Sequence, residues 1–395
     1  MKQGWEIKKL GEVLVKTETI DPTKKPNEEF TYLDVSSVNK ETKEIENATI
    51  LLGKRAPSRA RKLVRTNDVI FATVRPTHSR VALITEEYDE QVCSTGYFVL
   101  RGKDFIFNQY LFYFLLTDEF NEQMEKLQKG ASYPAVTDAE IKSILLRFPK
   151  SLTEQQRIVV ILDEAFAAIA KAKANAEQNL KNAKDLFESY LQGVFENGNW
   201  EEKKLNEITE VKDGTHDSPK YIKEGIPFVT QKNIRQNGLS FDDTRFITET
   251  DHEKFFKRSN VTYGDILISM IGANRGMAAI VDDKRIFSIK NVGLIKESQN
   301  INKHFLLYYL KSSLAMKYVL YMSNGGAQEF VGLTALRSFP IPYPTIKEQD
   351  DIVKKLDAIS SETNKLVSIY QNKIESLAEL KKSVLQKAFT GELKK

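Results

Sequence analysis

The sequence lacks the residues needed for a disulfide framework or a zinc site and the apolar segments needed to cross a membrane. Its 395 residues include one cysteine, Cys93, and only four histidines, which excludes a disulfide framework and argues against a Cys/His zinc site. No run of about 18 apolar residues occurs, and the N-terminus lacks the basic-then-apolar pattern of a signal peptide. We therefore expect a cytoplasmic protein with no membrane partner.

Motifs of common enzyme classes are also missing. The sequence contains no Gly-x-x-x-x-Gly-Lys phosphate loop, no Gly-x-Gly-x-x-Gly, no His-Glu-x-x-His and no Asn-Pro-Pro-aromatic motif. Glu-x-Lys triplets at 140–142 and 379–381 resemble nuclease metal elements, but such triplets arise by chance in a chain rich in both residues. We expect no catalysis by this chain, no bound metal and no cofactor.

The overall charge is only mildly basic. The formal net charge is +4, although 28% of the residues are charged. Any affinity for a polyanion must then come from local basic patches rather than from the field of the whole protein. The hydrophobic content of 41% is sufficient for buried cores, and the length predicts about two to three domains.

The chain repeats itself with an offset close to 195 residues. The segment from Trp5 to Val13 recurs from Trp200 to Ile208. Three further matches keep almost the same offset: 67–71 with 264–268, 108–113 with 302–307, and 154–163 with 348–357. Because four matches stay in register, we infer an internal duplication.

Each copy begins with a mixture of strand and helix periodicity. Short runs rich in β-branched residues, such as 69–74 and 266–271, alternate with helical segments, such as 110–127 and 305–322. Such alternation predicts the α+β class. The chain therefore contains two similar domains of this class.

Each copy ends in a predicted long helix. A proline precedes Ser-x-x-Glu at 151–154 in the first copy and Thr-x-x-Glu at 345–348 in the second, and both have the capping-box form that starts a helix. The predicted order is a domain at 1–150, a helix at 151–196, a domain at 197–344 and a helix at 345–391.

An apolar stripe along each long helix predicts an antiparallel coiled coil. The stripe runs from Ile158 to Val194, including Tyr190, and from Ile352 to Ala388, including Leu366, at spacings close to four and three. A helix packed only on its own domain is the alternative, but a stripe of about 40 residues favours helix on helix. At about 1.5 Å per residue, a spacer of roughly 60 Å would separate two domains related by a pseudo-twofold axis.

The strongest polyanion-binding pattern lies in the first domain. Residues 53–65 contain six basic residues and no acidic one, and a second basic segment at 75–80 follows a predicted strand. These side chains could neutralise phosphates, and arginine can read a guanine edge; a solvated basic loop is the alternative. The candidate DNA contacts are Lys54, Arg55, Arg59, Arg61, Lys62, Arg65, Arg75, Thr77, His78 and Arg80.

The second domain carries different loops, rich in small, amide and hydroxyl residues. Such side chains suit hydrogen bonds to base edges and phosphates, although the same residues also make ordinary turns. The candidates are Lys212, Thr215, His216, Ser218, Tyr221, Gln231, Lys232, Asn233, Asn274 and Arg275.

A third loop occurs at the same place in both copies, at 130–134 and 324–328. We interpret it as part of the recognition face, with a structural turn as the alternative. Its candidates are Ser132, Tyr133 and Gln328.

The order and duplication of these motifs resemble a known family. Gly-Asp-Ile-Leu at 264–267, Asp-Gly-Thr-His at 213–216, the paired Pro-then-Glu-Gln helix starts and Leu-Gln-Lys-Ala-Phe-Thr-Gly at 385–391 are similar to the specificity subunit of type I restriction-modification systems. The resemblance covers the whole chain. It implies two target recognition domains that each read one half of an interrupted DNA sequence, with antiparallel helices that fix the gap.

The first domain departs from the pattern. It has residues 17–22 (Thr-Glu-Thr-Ile-Asp-Pro) in place of Asp-Gly-Thr-His, and Tyr133-Pro134 in place of Gln328-Glu329. Two unlike domains should read two unlike half-sites, so we expect an asymmetric target.

The resemblance also implies partners. These are double-stranded DNA, two modification subunits that bring S-adenosylmethionine chemistry, and two motor-nuclease subunits. The alternative from the residues alone is a coiled-coil adaptor with two protein-binding domains, whose basic loop contacts acidic partners. A steep salt dependence of DNA affinity would favour the first interpretation.

Overall fold

The computed structural model describes four stretches of the chain, residues 3–130, 132–272, 274–323 and 330–393. They divide into two compact units, one made of residues 1–177 and 372–395 and the other of residues 178–371. Each unit therefore contains the beginning of one long helix and the end of the other. Among the described residues, no helix is both long enough and apolar enough to cross a membrane.

The first unit is an α+β domain with parts of two long helices. Its strands are β1 (Trp5–Lys9), β2 (Glu29–Leu33), β3 (Thr49–Leu52), β4 (Ala60–Leu63), β5 (Val69–Ala72), β6 (Val81–Leu83), β7 (Val92–Ser94), β8 (Tyr97–Leu100) and β9 (Leu145–Pro149). Its helices are α1 (Leu10–Val13), α2 (Asn108–Phe114), α3 (Asp118–Leu127), α4 (Asp138–Lys142) and the first part of α5 (Leu152–Asn197). The strands pair in the orders β1-β9, β3-β2-β7-β4 and β6-β5-β8.

The second unit repeats this plan. Its strands are β10 (Glu202–Lys204), β11 (Val211–Asp213), β12 (Ile226–Val229), β13 (Ile234–Arg235), β14 (Gly238–Leu239), β15 (Arg245–Ile247), β16 (Ile266–Ser269), β17 (Ala278–Ile280), β18 (Ser288–Ile289), β19 (Val292–Ile295) and β20 (Pro340–Pro342). Its helices are α6 (Leu205–Ile208), α7 (Glu249–Ser259), α8 (Lys303–Lys311), α9 (Ser313–Tyr321), α10 (Leu333–Arg337) and the first part of α11 (Ile346–Thr390). The strand orders are β10-β20, β11-β19-β16-β17, β15-β12-β18 and β13-β14.

The shared plan extends to strand register. The central hairpin pairs Phe71 with Val81 in the first unit and Ile268 with Ala278 in the second. Strand β2 runs parallel to β7, as β12 runs parallel to β18, and all four residues of β5 and of β16 are buried. The predicted α+β class and internal duplication are confirmed.

A buried ion pair supports the central hairpin in each unit. Asp68 accepts hydrogen bonds from Arg101 Nε at 2.7 Å and Nη2 at 2.8 Å. Its counterpart Asp265, in the Gly-Asp-Ile-Leu motif, accepts from Lys296 Nζ at 2.6 Å and from Glu297 N at 2.9 Å. Both carboxylates are almost completely buried, so this aspartate is a structural residue.

The expectation of single helices over 110–127 and 305–322 is wrong. Each segment forms two helices, because a hydroxyl residue caps a new helix partway along. Thr117 Oγ1 accepts a hydrogen bond from Phe120 N at 3.2 Å, and Ser312 Oγ accepts one from Ala315 N at 3.2 Å. Such side chains at an N-cap satisfy the free amides of the first turn.

The two long helices pack on one another within each unit. In the first unit, Ile158 near the start of α5 shares a core with Phe389 near the end of α11. Farther along α5, Phe166 lies 4.7 Å from the Lys381 ammonium, which is earlier in α11. The helices therefore run in opposite directions, as an antiparallel coiled coil requires.

The apolar stripe differs from its predicted course at two places. Tyr190 and Leu366 are exposed, at 36% and 38%. Leu191 and Phe195 are buried instead, because the end of α5 packs against the second domain's core. In α11 the residue that follows buried Thr363 in the stripe is half-buried Val367, four positions on, rather than Leu366, three positions on. Leu366 therefore faces solvent.

Each domain is joined to its long helix by a buried glutamine. Gln155 Oε1 accepts from Phe107 N at 2.9 Å, and its Nε2 donates to Phe105 O at 3.0 Å and Pro149 O at 2.9 Å.

In the second unit, Gln349 Oε1 accepts from Asn302 N at 2.8 Å, and its Nε2 donates to Pro344 O at 2.9 Å. Both glutamines have no exposed surface, so each fixes the start of its helix against the domain.

Candidate nucleic-acid interface

The basic run of the first unit forms a short turn and an edge strand. Gly53 begins the turn. The position requires glycine, because a Cβ there would lie 2.3 Å from Pro22 O and 2.2 Å from Lys25 O. Lys54, Arg55 and Arg59 follow it and are exposed. Within the described part of the chain, their side chains have no hydrogen-bond or ion-pair partner, so these cations are available to a ligand.

The other cations of this run bond to the protein itself. Lys62 Nζ donates to Tyr97 O at 2.6 Å and to Asp138 Oδ2 at 3.1 Å. Arg61 Nη1 donates to Ala60 O at 2.8 Å and lies 3.5 Å from Asp21. Arg65 lies 3.5 Å from Glu18 and 3.8 Å from Glu90. We therefore assign Arg61 and Lys62 a structural role, and Arg65 is partly neutralised.

The segment 75–80 is the connection between β5 and β6, and it is held tightly. Arg75 and Ser79 both adopt left-handed backbone conformations, with φ of 50° and 47°, which cost free energy in residues other than glycine. Lys43 Nζ donates to Ser79 O at 2.6 Å, and Ser79 Oγ donates to Asn121 Oδ1 at 2.7 Å. Arg80 Nη1 donates to Val38 O.

Burial lowers the pKa of the Lys43 ammonium to about 8, so it remains a charged donor at neutral pH. These bonds leave Thr77 and His78 exposed at the tip of the turn.

The third loop meets this turn. Val74 forms a β-bridge with Ala135, and Arg75 N donates to Pro134 O at 2.7 Å. The Arg75 guanidinium lies 5.1 Å from the centre of the Tyr133 ring, and Ser132 beside it is exposed. The structure thus brings together two segments that the sequence separates by more than 50 residues.

In the second unit, the Asp-Gly-Thr-His segment is built around a buried carboxylate. Asp213 accepts from Arg258 Nη2 at 2.7 Å and lies 3.1 Å from His216 Nε2. His216 Nδ1 lies 2.7 Å from Asn291 Oδ1, and the ring is exposed. Thr215 is buried, so His216 is the residue of this motif that it presents to solvent.

Some candidates of the second unit line one cleft of about 510 Å³. Its lining includes the predicted Tyr221, Gln231, Lys232 and Asn233. Its lining also includes residues that the sequence interpretation missed, among them Arg235, Arg245, Lys290 and Asn291 and the acidic Asp242 and Asp243. No local density of positive charge marks the three cations in the sequence.

The cleft has polar groups and an aromatic wall. The Arg245 guanidinium lies 4.6 Å from the Tyr221 ring centre. Gln231 Oε1 is buried and has no hydrogen-bond partner among the described residues, and such an atom is costly unless a ligand or water satisfies it. Asn233 is different, because its Oδ1 accepts from Thr230 N at 2.8 Å and its Nδ2 donates to Ser240 O at 3.0 Å.

The remaining candidates of this unit do not line the cleft, and one lies outside the described residues. Lys212 pairs with Glu210 at 3.1 Å, and Ser218 Oγ accepts from Lys290 Nζ at 2.6 Å. Asn274 is exposed in the β16–β17 connection, and Arg275 Nη1 donates to Gly272 O at 3.4 Å. Gln328 lies outside the described residues.

The β16–β17 connection occupies the same position as the 75–80 turn. Ile271 forms a β-bridge with Phe330, as Val74 does with Ala135. Candidates that the sequence analysis treated as unrelated, such as His78 and Asn274, therefore belong to equivalent hairpin connections with unlike sequences.

Comparison with known proteins gives consistent matches. The model of the type I restriction modification DNA specificity domain matches residues 2–181 and again 197–376. The specificity subunit of the type I restriction enzyme EcoKI from Escherichia coli K12 is 22% identical over 84% of this chain and 75% of its own length. The MjaVIII specificity subunit from Methanocaldococcus jannaschii is 24% identical over 72% of this chain and 70% of its own length.

Solved structures agree with these matches. The HsdS subunit from Thermoanaerobacter tengcongensis superimposes with a TM-score of 0.74 at 28% identity, over 100% of this chain and 98% of that one. A chain from a study of complex assembly and conformational transition of the type I R-M system gives a TM-score of 0.86, also at 28% identity, over 100% and 99%.

Proposed function

Because the chain belongs to the type I restriction-modification DNA specificity family, we propose that it reads a bipartite DNA target. Residues 1–150 form the recognition domain for one half-site, and residues 197–344 form the domain for the other. The helices at 151–196 and 345–391 set the gap between the half-sites. The chain itself is not an enzyme and takes no cofactor.

One observation carries this proposal: equivalent hairpins in the two domains carry connecting loops of different sequence. The hairpins β5–β6 and β16–β17 have the same register, but their connections read Thr-Val-Arg-Pro-Thr-His-Ser-Arg and Met-Ile-Gly-Ala-Asn-Arg-Gly-Met. Base recognition depends on particular donors and acceptors at the interface. Unlike loops on equal frames therefore read unlike half-sites, which makes the target asymmetric.

The two domains use different sets of residues. In the first, Lys54, Arg55 and Arg59 contact phosphates, and Thr77 and His78 contact bases. In the second, the base-reading surface is the cleft, whose polar and aromatic lining includes Tyr221, Gln231, Lys232, Arg235, Arg245 and Lys290. Arg235 lies 3.5 Å from Asp242, and Lys290 bonds to Ser218. Phosphate contacts position a protein on DNA, and base contacts specify the sequence.

The partners follow from the family. Two modification subunits supply methylation from S-adenosylmethionine, and two motor-nuclease subunits supply cleavage. The two long helices present duplicated surfaces, which suits two copies of a partner. The protein-binding adaptor has less support, because the matched family is defined by DNA specificity.

The test is to express the chain with the modification subunit of its own system and map adenine methylation by sequencing. We expect one asymmetric motif, interrupted by a gap of fixed length. A continuous motif, a palindromic motif or no methylation would contradict the proposal. A control with an unrelated specificity subunit and the same modification subunit should yield a different motif.

A further inference from the structure

The first unit presents one large aromatic side chain mostly to solvent. Tyr133 is 72% exposed, at the end of a loop that begins at Gly130. An aromatic ring left in water contributes nothing to the core, since burial of apolar area is what stabilises a fold. Its position is instead fixed by the loop that carries it.

The loop is narrow and closed at its base. Lys129 N donates to Ala135 O at 2.9 Å, and Ala135 N donates to Lys129 O at 2.9 Å. Gly130 has a φ of 103°, which turns the chain sharply and is accessible mainly to glycine. Pro134 restricts the backbone of Tyr133 to extended conformations. Gly130 and Pro134 therefore restrict the backbone on either side of the segment that carries the ring.

One face of the ring is already occupied. The Arg75 guanidinium lies 5.1 Å from the ring centre, and the backbone N–H of Arg75 donates a hydrogen bond to Pro134 O at 2.7 Å. A guanidinium over a tyrosine is attracted by the negative face of the ring. Ring and cation thus form a preorganised pair, with the edge and the other face of the ring open.

The adjoining turn adds exposed polar groups. Thr77 and His78 are exposed two and three residues after Arg75. A flat aromatic ring suits stacking on a base, a guanidinium suits a phosphate, and the hydroxyl and imidazole suit base edges. The ligand that combines all three chemistries is a DNA base step with its backbone.

We propose that Tyr133 inserts into a base step of the first half-site and that Arg75 holds the ring and the adjacent phosphate. This rests on the proposed DNA-reading function and adds a mode of reading to it. Inserted side chains unstack a step at a free-energy cost that depends on its sequence. Tyr133 therefore selects for an easily opened step, typically pyrimidine–purine, without hydrogen bonds to its bases.

The experiment uses the full chain with its modification subunit and duplexes that carry 2-aminopurine at successive positions of the mapped first half-site. We expect the wild-type complex to raise 2-aminopurine fluorescence at one step besides the methylated adenine. Tyr133→Ala should abolish the increase at that step and weaken affinity by about 5- to 150-fold, the range for losing one base–aromatic stack. Tyr133→Phe should retain both, because stacking does not need the hydroxyl.

Controls separate this inference from the proposed function. The signal at the methylated adenine should be the same in Tyr133→Ala and wild type, because the modification subunit opens that base. Tyr321→Ala, at an 87% exposed tyrosine of the second unit, should leave the first half-site signal unchanged. Specific DNA binding with no Tyr133-dependent fluorescence would overturn the insertion and leave the DNA-reading function standing. A lack of specific binding by the wild type would overturn both.

Discussion

One segment of the first unit and one of the second occupy the same place in the frame but have different structures. Between β3 and β5, residues 53–63 form a short turn and the edge strand β4. Between β15 and β16, the second unit has the 11-residue helix α7. Thr248 starts this helix by accepting a hydrogen bond from Asp251 N at 3.1 Å.

The two segments also use their charges differently. Lys54, Arg55 and Arg59 are unpaired in the described part of the first unit. In α7, Lys254 pairs with Asp217 at 2.8 Å and Arg258 pairs with Asp213 at 2.7 Å. The first segment leaves its positive charge available to a ligand, whereas the second uses it to hold the Asp213 loop in place. The two units therefore attach a segment at the same position between equivalent strands. The secondary structure and the charge pairing of that segment differ between the units.

The largest effect should come from removing the buried aspartate that both frames share. Asp68→Ala and Asp265→Ala each remove the buried carboxylate of an ion pair, which costs up to about 3–5 kcal/mol of unfolding free energy. Arg101 keeps its bond to Glu18, and Lys296 keeps its bond to Asn260 O. Urea unfolding followed by circular dichroism measures the loss. The exposed controls Asp104→Ala and Asp282→Ala should change little. A large loss in only one domain would show that the frames are not equivalent.

The next effect concerns the unpaired cations. The triple change Lys54→Ala, Arg55→Ala and Arg59→Ala should weaken DNA binding and reduce the slope of log affinity against log salt by up to about 3, since each phosphate contact contributes about 0.9. Fluorescence anisotropy at several salt concentrations, with the modification subunit present, gives the slope.

A matched triple outside both long helices and outside the assigned DNA contacts, Lys16→Ala, Lys103→Ala and Lys150→Ala, removes the same charge from exposed positions. This variant should keep the wild-type slope. Equal slopes for the two triples would contradict the assignment of phosphate contacts to residues 54–59.

A smaller effect should be confined to one half-site at a time. His78→Ala should relax one base position of the first half-site, and Gln231→Ala one position of the second, each by about 1–3 kcal/mol of discrimination. Methylation mapping of each variant measures this relaxation. His304→Ala and Gln178→Ala, at exposed positions, are the controls. A variant that relaxes specificity at the opposite half-site would contradict the assignment of one half-site to each domain.

The smallest effect is a pH dependence at the helix starts. The bond from Lys129 Nζ, at 2.8 Å, and the Thr137 amide and hydroxyl lower the pKa of Glu140 from 4.5 to about 2. The Thr345 bonds lower that of Glu348, which has no such lysine.

Because the folded pKa of Glu140 lies below the unfolded value, its stabilising contribution is present above pH 4.5 and is lost as the pH falls towards 2. Carboxyl NMR titration should place the Glu140 midpoint near 2, and Lys129→Ala should raise it. An unchanged midpoint would show that the lysine bond does not persist in solution.

Sequence reasoning predicted the frame because its signals are local. The repeated Asp68 and Asp265 motifs, the helix-start caps and the long apolar stripes all lie within short windows. The second unit's cleft could not be predicted in this way, since Tyr221, Gln231, Arg245 and Lys290 come from separate segments that only the fold brings together.

The sequence also did not show which individual cations are paired within the protein. Lys62 and Arg59 lie in the same basic run, but Lys62 bonds to groups 35 and 76 residues away. Whether a cation is free depends on its three-dimensional neighbours. A count of charges in a window cannot distinguish the two.

The buried glutamines at the helix starts have a consequence for how such a protein can change over evolutionary time. The hydrogen bonds of the Gln155 and Gln349 amides are made with main-chain N–H and C=O groups, which every sequence supplies. These bonds do not depend on the side chains of the attached domain, and a side-chain bond common to both junctions is donated by Tyr113 to Asp163 and by Tyr308 to Asp357. A recognition domain that keeps this tyrosine could therefore be exchanged whole by recombination, or drift far in sequence elsewhere, and still be held by the same helix.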